Sequence, residues 1–129
     1  MMISHIVLGI RDFERALHFY TPLMAALQHK LRITDASVPW AAWSGRDGQR
    51  PFFIIRTPWD GQAAHPGNGP MTALLAPDRE TVNRCYQIAL AHGGTDEGAP
   101  GLRPEYHANY WGAYFRDPDG NKLCVVCHS

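Results

Sequence analysis

Residues 110–128 read YWGAYFRDPDGNKLCVVCH, and the reading of this stretch decides the fold. Two runs rich in aromatic and β-branched residues flank DPDGN, where Asp119-Gly120 supplies the positive φ that a tight reversal needs. The stretch therefore reads as a β-hairpin. Pairing across the turn sets Cys124 opposite Tyr114 and Val126 opposite Gly112, on one face with Tyr110. Leu123, Val125 and Cys127 take the other face, which is apolar throughout and suits packing against helices. The same residues contain C-x-x-C-H, a spacing used for haem attachment and in half of a zinc site. On a strand, however, Cys124 and Cys127 point to opposite faces and cannot grip one ion or one haem together. No second Cys/His pair completes a zinc site, because the remaining thiol, Cys85, falls on the packed face of a helix. The motif is strand composition.

Working outward, the chain contains itself twice. ISHIVLGIRDFERALHFY (3–20) aligns without gaps on GPMTALLAPDRETVNRCY (69–86), which matches His5 to Met71, Asp12 to Asp78 and Tyr20 to Tyr86. WAAWSGRDGQRPFFIIR (40–56) aligns on residues 111–128 with one extra residue in the second turn, matching Trp40 to Trp111, Trp43 to Tyr114 and Phe52 to Cys124. Each half reads strand, helix, then a run of strands. Asp12 caps a helix with Phe13, Ala16, Leu17 and Tyr20 on one face, and Pro22 is expected to end it, with Leu23, Met24 and Leu27 in a second short turn. Asp78 caps the corresponding helix, closed by Gly93-Gly94. Gly- and Pro-rich residues 59–68 join two modules of about 1–58 and 69–129 within a single domain spanning 1–129.

Composition bounds the function. A formal net charge of +0 leaves nothing to recruit nucleic acid or an anionic membrane. IVLGI, the apolar run near the start, is far too short to span a bilayer and lacks the flanks of a signal peptide, so cytoplasm is the expected compartment. Three cysteines are then expected as free thiols. GNG at 67–69 precedes Pro70 and a strand, not a helix N-terminus, and so is no nucleotide loop. Neither Ser4 nor Ser44 sits in a nucleophile elbow.

The tandem βαβββ pattern, with YWGAYFRDPDGNKL and the early His5, resembles the vicinal oxygen chelate superfamily over essentially the whole chain. That superfamily includes glyoxalase I, bleomycin-resistance proteins, fosfomycin-resistance transferases and extradiol dioxygenases. The resemblance implies an α+β fold of eight strands in a curved mixed sheet, helices outside and a small-molecule cavity inside. It also implies a homodimer and, in metal-dependent members, a divalent ion held by a first-strand His in each module and a last-strand carboxylate. Carried over by residue, His5 matches the first histidine, Met71 stands at the second and Cys124 at the carboxylate, with Phe52 as its counterpart in the first module. One family ligand survives, and the set offers no oxygen donor.

Three readings of the site follow. A metal-free binder would hold a small organic molecule in a box of Trp43, Phe52, Met71, Tyr110 and Tyr114, although such aromatics can equally fill a core. A metal could still be held by His5 with His107 or His65, or by His5, Met71 and Cys124 as a soft site of the kind that favours Cu(I). Metal-free catalysis would use the loop GLRPEYHANYWG (101–112) with Cys124 in the wall. There Arg103 offers a guanidinium for an anion, Tyr106 and Tyr110 offer phenols, and His107 with Tyr114 offers acid–base groups. The resemblance favours the enzyme reading, a glyoxalase- or dioxygenase-like lyase, isomerase or dioxygenase with a degenerate metal site, and the metal-free binder is the alternative. His18, His29 and His92 read as surface residues.

Overall fold

A computed structural model describes residues 1–129. The eight expected strands and two helices are all present: β1 His5–Gly9, α1 Phe13–Ala26, β2 Lys30–Asp35, β3 Trp40–Ser44, β4 Phe52–Arg56, β5 Thr72–Leu75, α2 Arg79–Ala91, β6 Thr95–Leu102, β7 Trp111–Arg116 and β8 Lys122–Cys127. They form two four-stranded mixed sheets of identical topology, β1-β4-β3-β2 and β5-β8-β7-β6. In each, the first strand runs parallel to the last and the other neighbours are antiparallel.

Both helices start as their caps dictate. Asp12 Oδ1 accepts the Arg15 N–H at 3.1 Å, and Asp78 Oδ1 accepts the Thr81 N–H at 2.7 Å. The expected break at Pro22 does not occur. Proline removes one i→i−4 bond, but Phe19, Tyr20, Leu23 and Met24 on either side of it are fully buried. Burial of each such side chain is worth about 1.5–3 kcal/mol, enough together to carry the helix through a lost hydrogen bond. This helix also joins the two sheets into one core. Tyr20 packs on Phe53 of the first sheet (ring centroids 5.4 Å apart), while the adjacent Phe19 meets Phe115 of the second at 6.2 Å.

The DPDGN turn is a latch between modules. Gly120 adopts φ +90°, and its N–H donates to the Asp117 carbonyl at 3.0 Å. Asp117, buried, accepts the hydroxyl of Tyr20, the Asn121 side chain at 2.9 Å and the backbone N–H groups of Asp119 and Asn121. Asp119 accepts the Arg11 N–H and the Arg15 guanidinium, both at 3.0 Å. Asn121 Nδ2 donates to the Gly9 carbonyl at 2.9 Å, tying the turn to the end of β1.

Strand register corrects half of the internal alignment. Each module carries a bulge at the same place: Leu31 and Ile33 face Trp43 and Ala42, as Asp96 and Gly98 face Phe115 and Tyr114. Trp43 therefore corresponds to Phe115, not Tyr114, and Trp40 to Gly112, not Trp111. Since Ala42 pairs with Ile54 and Tyr114 with Cys124, the counterpart of Cys124 is Ile54, not Phe52. The first-strand match of His5 to Met71 stands: the neighbours Ile6 and Thr72 pair with Phe53 and Leu123, which both face the helices. His29 is not a free surface residue either. It is half-buried, with Nδ1 lacking a partner, and burial together with Arg46 lowers its pKa.

Candidate functional site

A cleft of about 620 Å³ lies on the face of the second sheet that points away from the helices. Met71, Tyr106, His107, Tyr110, Tyr114, Lys122 and His128 line it, with Asn68, Arg116 and the Gly69-Pro70 backbone at its margin. Strand alternation places Tyr114 and Cys124 on this face as an antiparallel pair, and the opposite face, with Ala113, Phe115, Leu123 and Val125, is fully buried. Tyr110, just before β7, rests its ring against the sheet at Gly112. It can do so because residue 112 is glycine: a Cβ there would stand 2.8 Å from Tyr110 Cε1.

A polar chain runs through the wall. The hydroxyls of Tyr110 and Tyr114 are 2.9 Å apart, and Tyr110 Oη lies 3.6 Å from Cys124 Sγ. Burial, followed by the bonds to Tyr114 and Cys124, raises the Tyr110 pKa; burial is also the largest cause of the upward shift at Tyr114. Both phenols are therefore donors at neutral pH. Burial likewise raises the Cys124 thiol, which is fully covered and sits behind Tyr110 instead of lining the cleft.

At the mouth, His107 Nε2 is 2.7 Å from His128 Nδ1, and the Asn109 N–H donates to His107 Nδ1 at 3.1 Å. The backbone donor fixes the tautomer. His107 Nδ1 carries the lone pair, its Nε2–H donates to His128, and the proton of neutral His128 resides on Nε2. Both nitrogens of His107 are engaged, so a base role for it requires giving up one of these bonds. Nor can His107 offer Nε2 to a metal without losing the Asn109 bond.

The other sequence candidates are dispersed. Trp43 does not line the cleft; it faces the helices, 3% exposed, with its ring 6.3 Å from Tyr20. Phe52 lies in a separate groove of about 340 Å³ between the sheets, with Ile6, Ala73, Leu74 and Leu75, and the Arg50 guanidinium rests 4.5 Å above its ring. The expected single aromatic box is thus split between two sites: Trp43 and Phe52 border this groove on the first sheet, whereas Met71, Tyr110 and Tyr114 line the cleft of the second. Arg103 turns back along its own strand, donating to the Ala99 carbonyl at 2.8 Å and lying 5.4 Å from the Tyr114 ring centroid. Lys122 and His128 were missed. Lys122 belongs to the DPDGNK turn and His128 to the C-x-x-C-H run, and neither pattern marks a cleft residue. The usable signal was glycine within a strand, at 98, 101 and 112.

The ligand positions implied by the resemblance do not fit a divalent ion. His5 is exposed, on the first sheet, with Nδ1 2.9 Å from Ser4 Oγ. Met71 and Cys124 belong to the second sheet's side, and Ile54, the true counterpart of Cys124, cannot ligate. Whichever chain supplied them, these positions bring one imidazole, one thioether and one buried, hydrogen-bonded thiol, with no carboxylate. No three His, Cys, Asp or Glu side chains within the chain come together as a metal-ligating group.

No helix is long and apolar enough to cross a membrane. Searched against curated proteins, the chain matches none. Among solved structures it is similar to a glyoxalase/bleomycin resistance protein from Albidiferax ferrireducens T118, with 32% identity and a TM-score of 0.86 over 100% of both chains. It shares its fold with a glyoxalase/bleomycin resistance protein/dioxygenase family enzyme from Burkholderia phytofirmans PsJN (15% identity, TM-score 0.72, 98% of each chain). It shares it also with TioX from Micromonospora sp. ML1 (15% identity, TM-score 0.65, 100% of both chains). The repeated βαβββ sheets, the DPDGN latch and a family model matched over residues 2–125 agree: the chain belongs to the Glyoxalase/Bleomycin resistance protein/Dioxygenase superfamily.

Proposed function

We propose that this protein binds a small organic molecule in the cleft of the second module, and that it does so without the divalent ion of its metal-dependent relatives. The observation that carries the reading is the wall of the cleft: two hydrogen-bonded phenols, Tyr110 and Tyr114, with the Tyr106 ring tilted against Tyr110 at 4.9 Å between ring centroids. Flat rings with fixed hydroxyls recognise planar, partly apolar ligands. The family positions, by contrast, lack the oxygen donors that a hard or borderline ion requires. The same phenols and His128 can act as proton donors toward a bound molecule, so a metal-independent enzyme uses the same site.

The outward faces of the two sheets expose Val7 (49%) and Leu75 (64%), which supports pairing with a second copy as a homodimer. The test of the binding reading is a fragment screen by backbone amide NMR on protein stripped with a chelator. Planar fragments that shift the Tyr106–Tyr114 amides in stripped protein, and not in Tyr110→Ala, are the expected result. Binding that appears only after a divalent ion is added, and that disappears in His5→Ala, would overturn the proposal.

A further inference from the structure

Two cations at the Tyr114 wall of the cleft, Lys122 in its lining and Arg103 beside it, have no ionic partner in the chain. Lys122 makes no ion pair, and its ammonium stands 5.8 Å from the centroid of the Tyr114 ring. The guanidinium of Arg103 stands 5.4 Å from the same centroid, and its only hydrogen bonds are to the neutral carbonyls of Leu102 and Ala99. Two glycines leave that guanidinium room: a Cβ at Gly98 or Gly101 would approach it to 3.2 or 3.1 Å. Two like charges thus share one tyrosine. Arg116 differs, because Glu97 and the Gly120 carbonyl hold its head group.

No carboxylate lines the cleft, although the chain has 12 acidic residues and a formal net charge of +0. The remaining polar groups are suited to donate: the phenols of Tyr106, Tyr110 and Tyr114, and His128, whose Nε2–H is left by the fixed tautomer of His107. Both cations also act on Cys124, where they pull the thiol pKa down against the larger effect of burial. The positive field therefore reaches the Tyr110–Tyr114–Cys124 wall itself. A neutral or cationic ligand would leave these charges without a partner.

We infer that the ligand is a planar aromatic carboxylate, its ring against Tyr106 and Tyr110 and its carboxylate held by Lys122 in the field of Arg103. The inference rests on the binding reading above and adds the chemical class. Charge-assisted hydrogen bonds in a half-covered site give the anion an advantage that an isosteric amide cannot reproduce.

The experiment compares 2-naphthoate with 2-naphthamide by NMR titration of the untagged full chain, in low and high salt. The expected result is that naphthoate binds about tenfold more tightly than the amide, and that high salt narrows the gap. Lys122→Gln should abolish the preference and Lys122→Arg should keep it; Lys122 is half-buried at the start of its strand and forms no ion pair, and the amide spectrum verifies that both variants keep the fold. Equal or tighter binding of the amide would overturn the anion inference and leave the cleft reading standing. A preference unchanged in Lys122→Gln would do the same. Failure of both probes to shift any cleft amide would overturn the two together.

Discussion

Replacing Tyr20 with phenylalanine tests whether the DPDGN turn works as a latch. Tyr20 is fully buried, with its ring packed against Phe19 at 4.8 Å, Phe53 at 5.4 Å and Trp43 at 6.3 Å between centroids. Phenylalanine keeps those contacts and deletes one hydroxyl, the donor to Asp117. Asp117 is 3% exposed, so water cannot take the vacated place. A hydrogen bond to a buried charged group contributes about 1.5–3 kcal/mol. For a chain of this length that lowers the melting temperature by about 5–15 °C.

The control is Tyr86→Phe, which deletes a hydroxyl bonded at 2.9 Å to Asp96, an exposed carboxylate that water can resolvate. It should cost no more than about 0.5 kcal/mol. Urea unfolding of both variants gives the comparison. The pH dependence adds a second signature. Burial raises the Asp117 pKa, while the bonds from Tyr20 and Asn121 oppose that rise, so removing Tyr20's bond raises it further. The wild type is then favoured over the variant most strongly where Asp117 is ionised, and the gap narrows as pH falls through its pKa. Equal losses in Tyr20→Phe and Tyr86→Phe, or a gap that widens in acid, would refute the latch.

Two further perturbations probe the site. In Gly112→Ala the new Cβ meets Tyr110 Cε1 at 2.8 Å, so the ring must retreat by about 0.6 Å to reach an ordinary contact. The added strand preference of alanine (about 0.5–1 kcal/mol) offsets part of the overpacking (about 1–3 kcal/mol), so stability falls by no more than about 2.5 kcal/mol while naphthoate binding to the folded protein weakens about tenfold or more; unchanged binding would show that Tyr110 does not form the platform. On the alkaline side, Tyr20, Tyr110 and Tyr114 all have pKa values raised by burial above the usual 10.0. Their stabilising contribution is complete below about pH 10 and is lost as pH rises through the folded-state values, so the melting temperature should fall steeply above about pH 10 while phenolate absorbance lags behind that of the unfolded chain.

What the sequence showed well was whatever local chemistry dictates. The two aspartate caps, the Asp-Gly turn and the opposite faces of Cys124 and Cys127 follow from hydrogen-bonding and alternation rules, and each is found in the fold. Pro22 misled because its local cost is outweighed by long-range burial that no window of sequence contains. The hairpin alignment misled because tryptophan identity at 40 and 111 outweighed face parity. WAAWS offers aromatic residues on both faces, and only the shared bulge fixes which one turns inward. The pairing of His107 with His128 was invisible for another reason. It joins a loop to the end of β8, which pattern and periodicity do not connect.

The corrected register also explains why resemblance to the family transmits the fold more securely than the chemistry. DPDGN, the most recognisable stretch, spends its side chains on Tyr20, Arg11, Arg15 and the Gly9 carbonyl, so it reports how two modules are joined. The chemistry resides at positions where the modules differ. Tyr114 occupies the place of Ala42, Cys124 that of Ile54, and Gly112, which admits the Tyr110 ring, that of Trp40. A symmetric pair of modules places equivalent donors around one ion. Here one module carries the phenols and the imidazole pair, while the matching positions of the other are Trp40, Ala42 and Ile54. That asymmetry suits one oriented organic ligand, with an anionic end toward Lys122 and a flat body on Tyr110, better than it suits an ion coordinated from both sides.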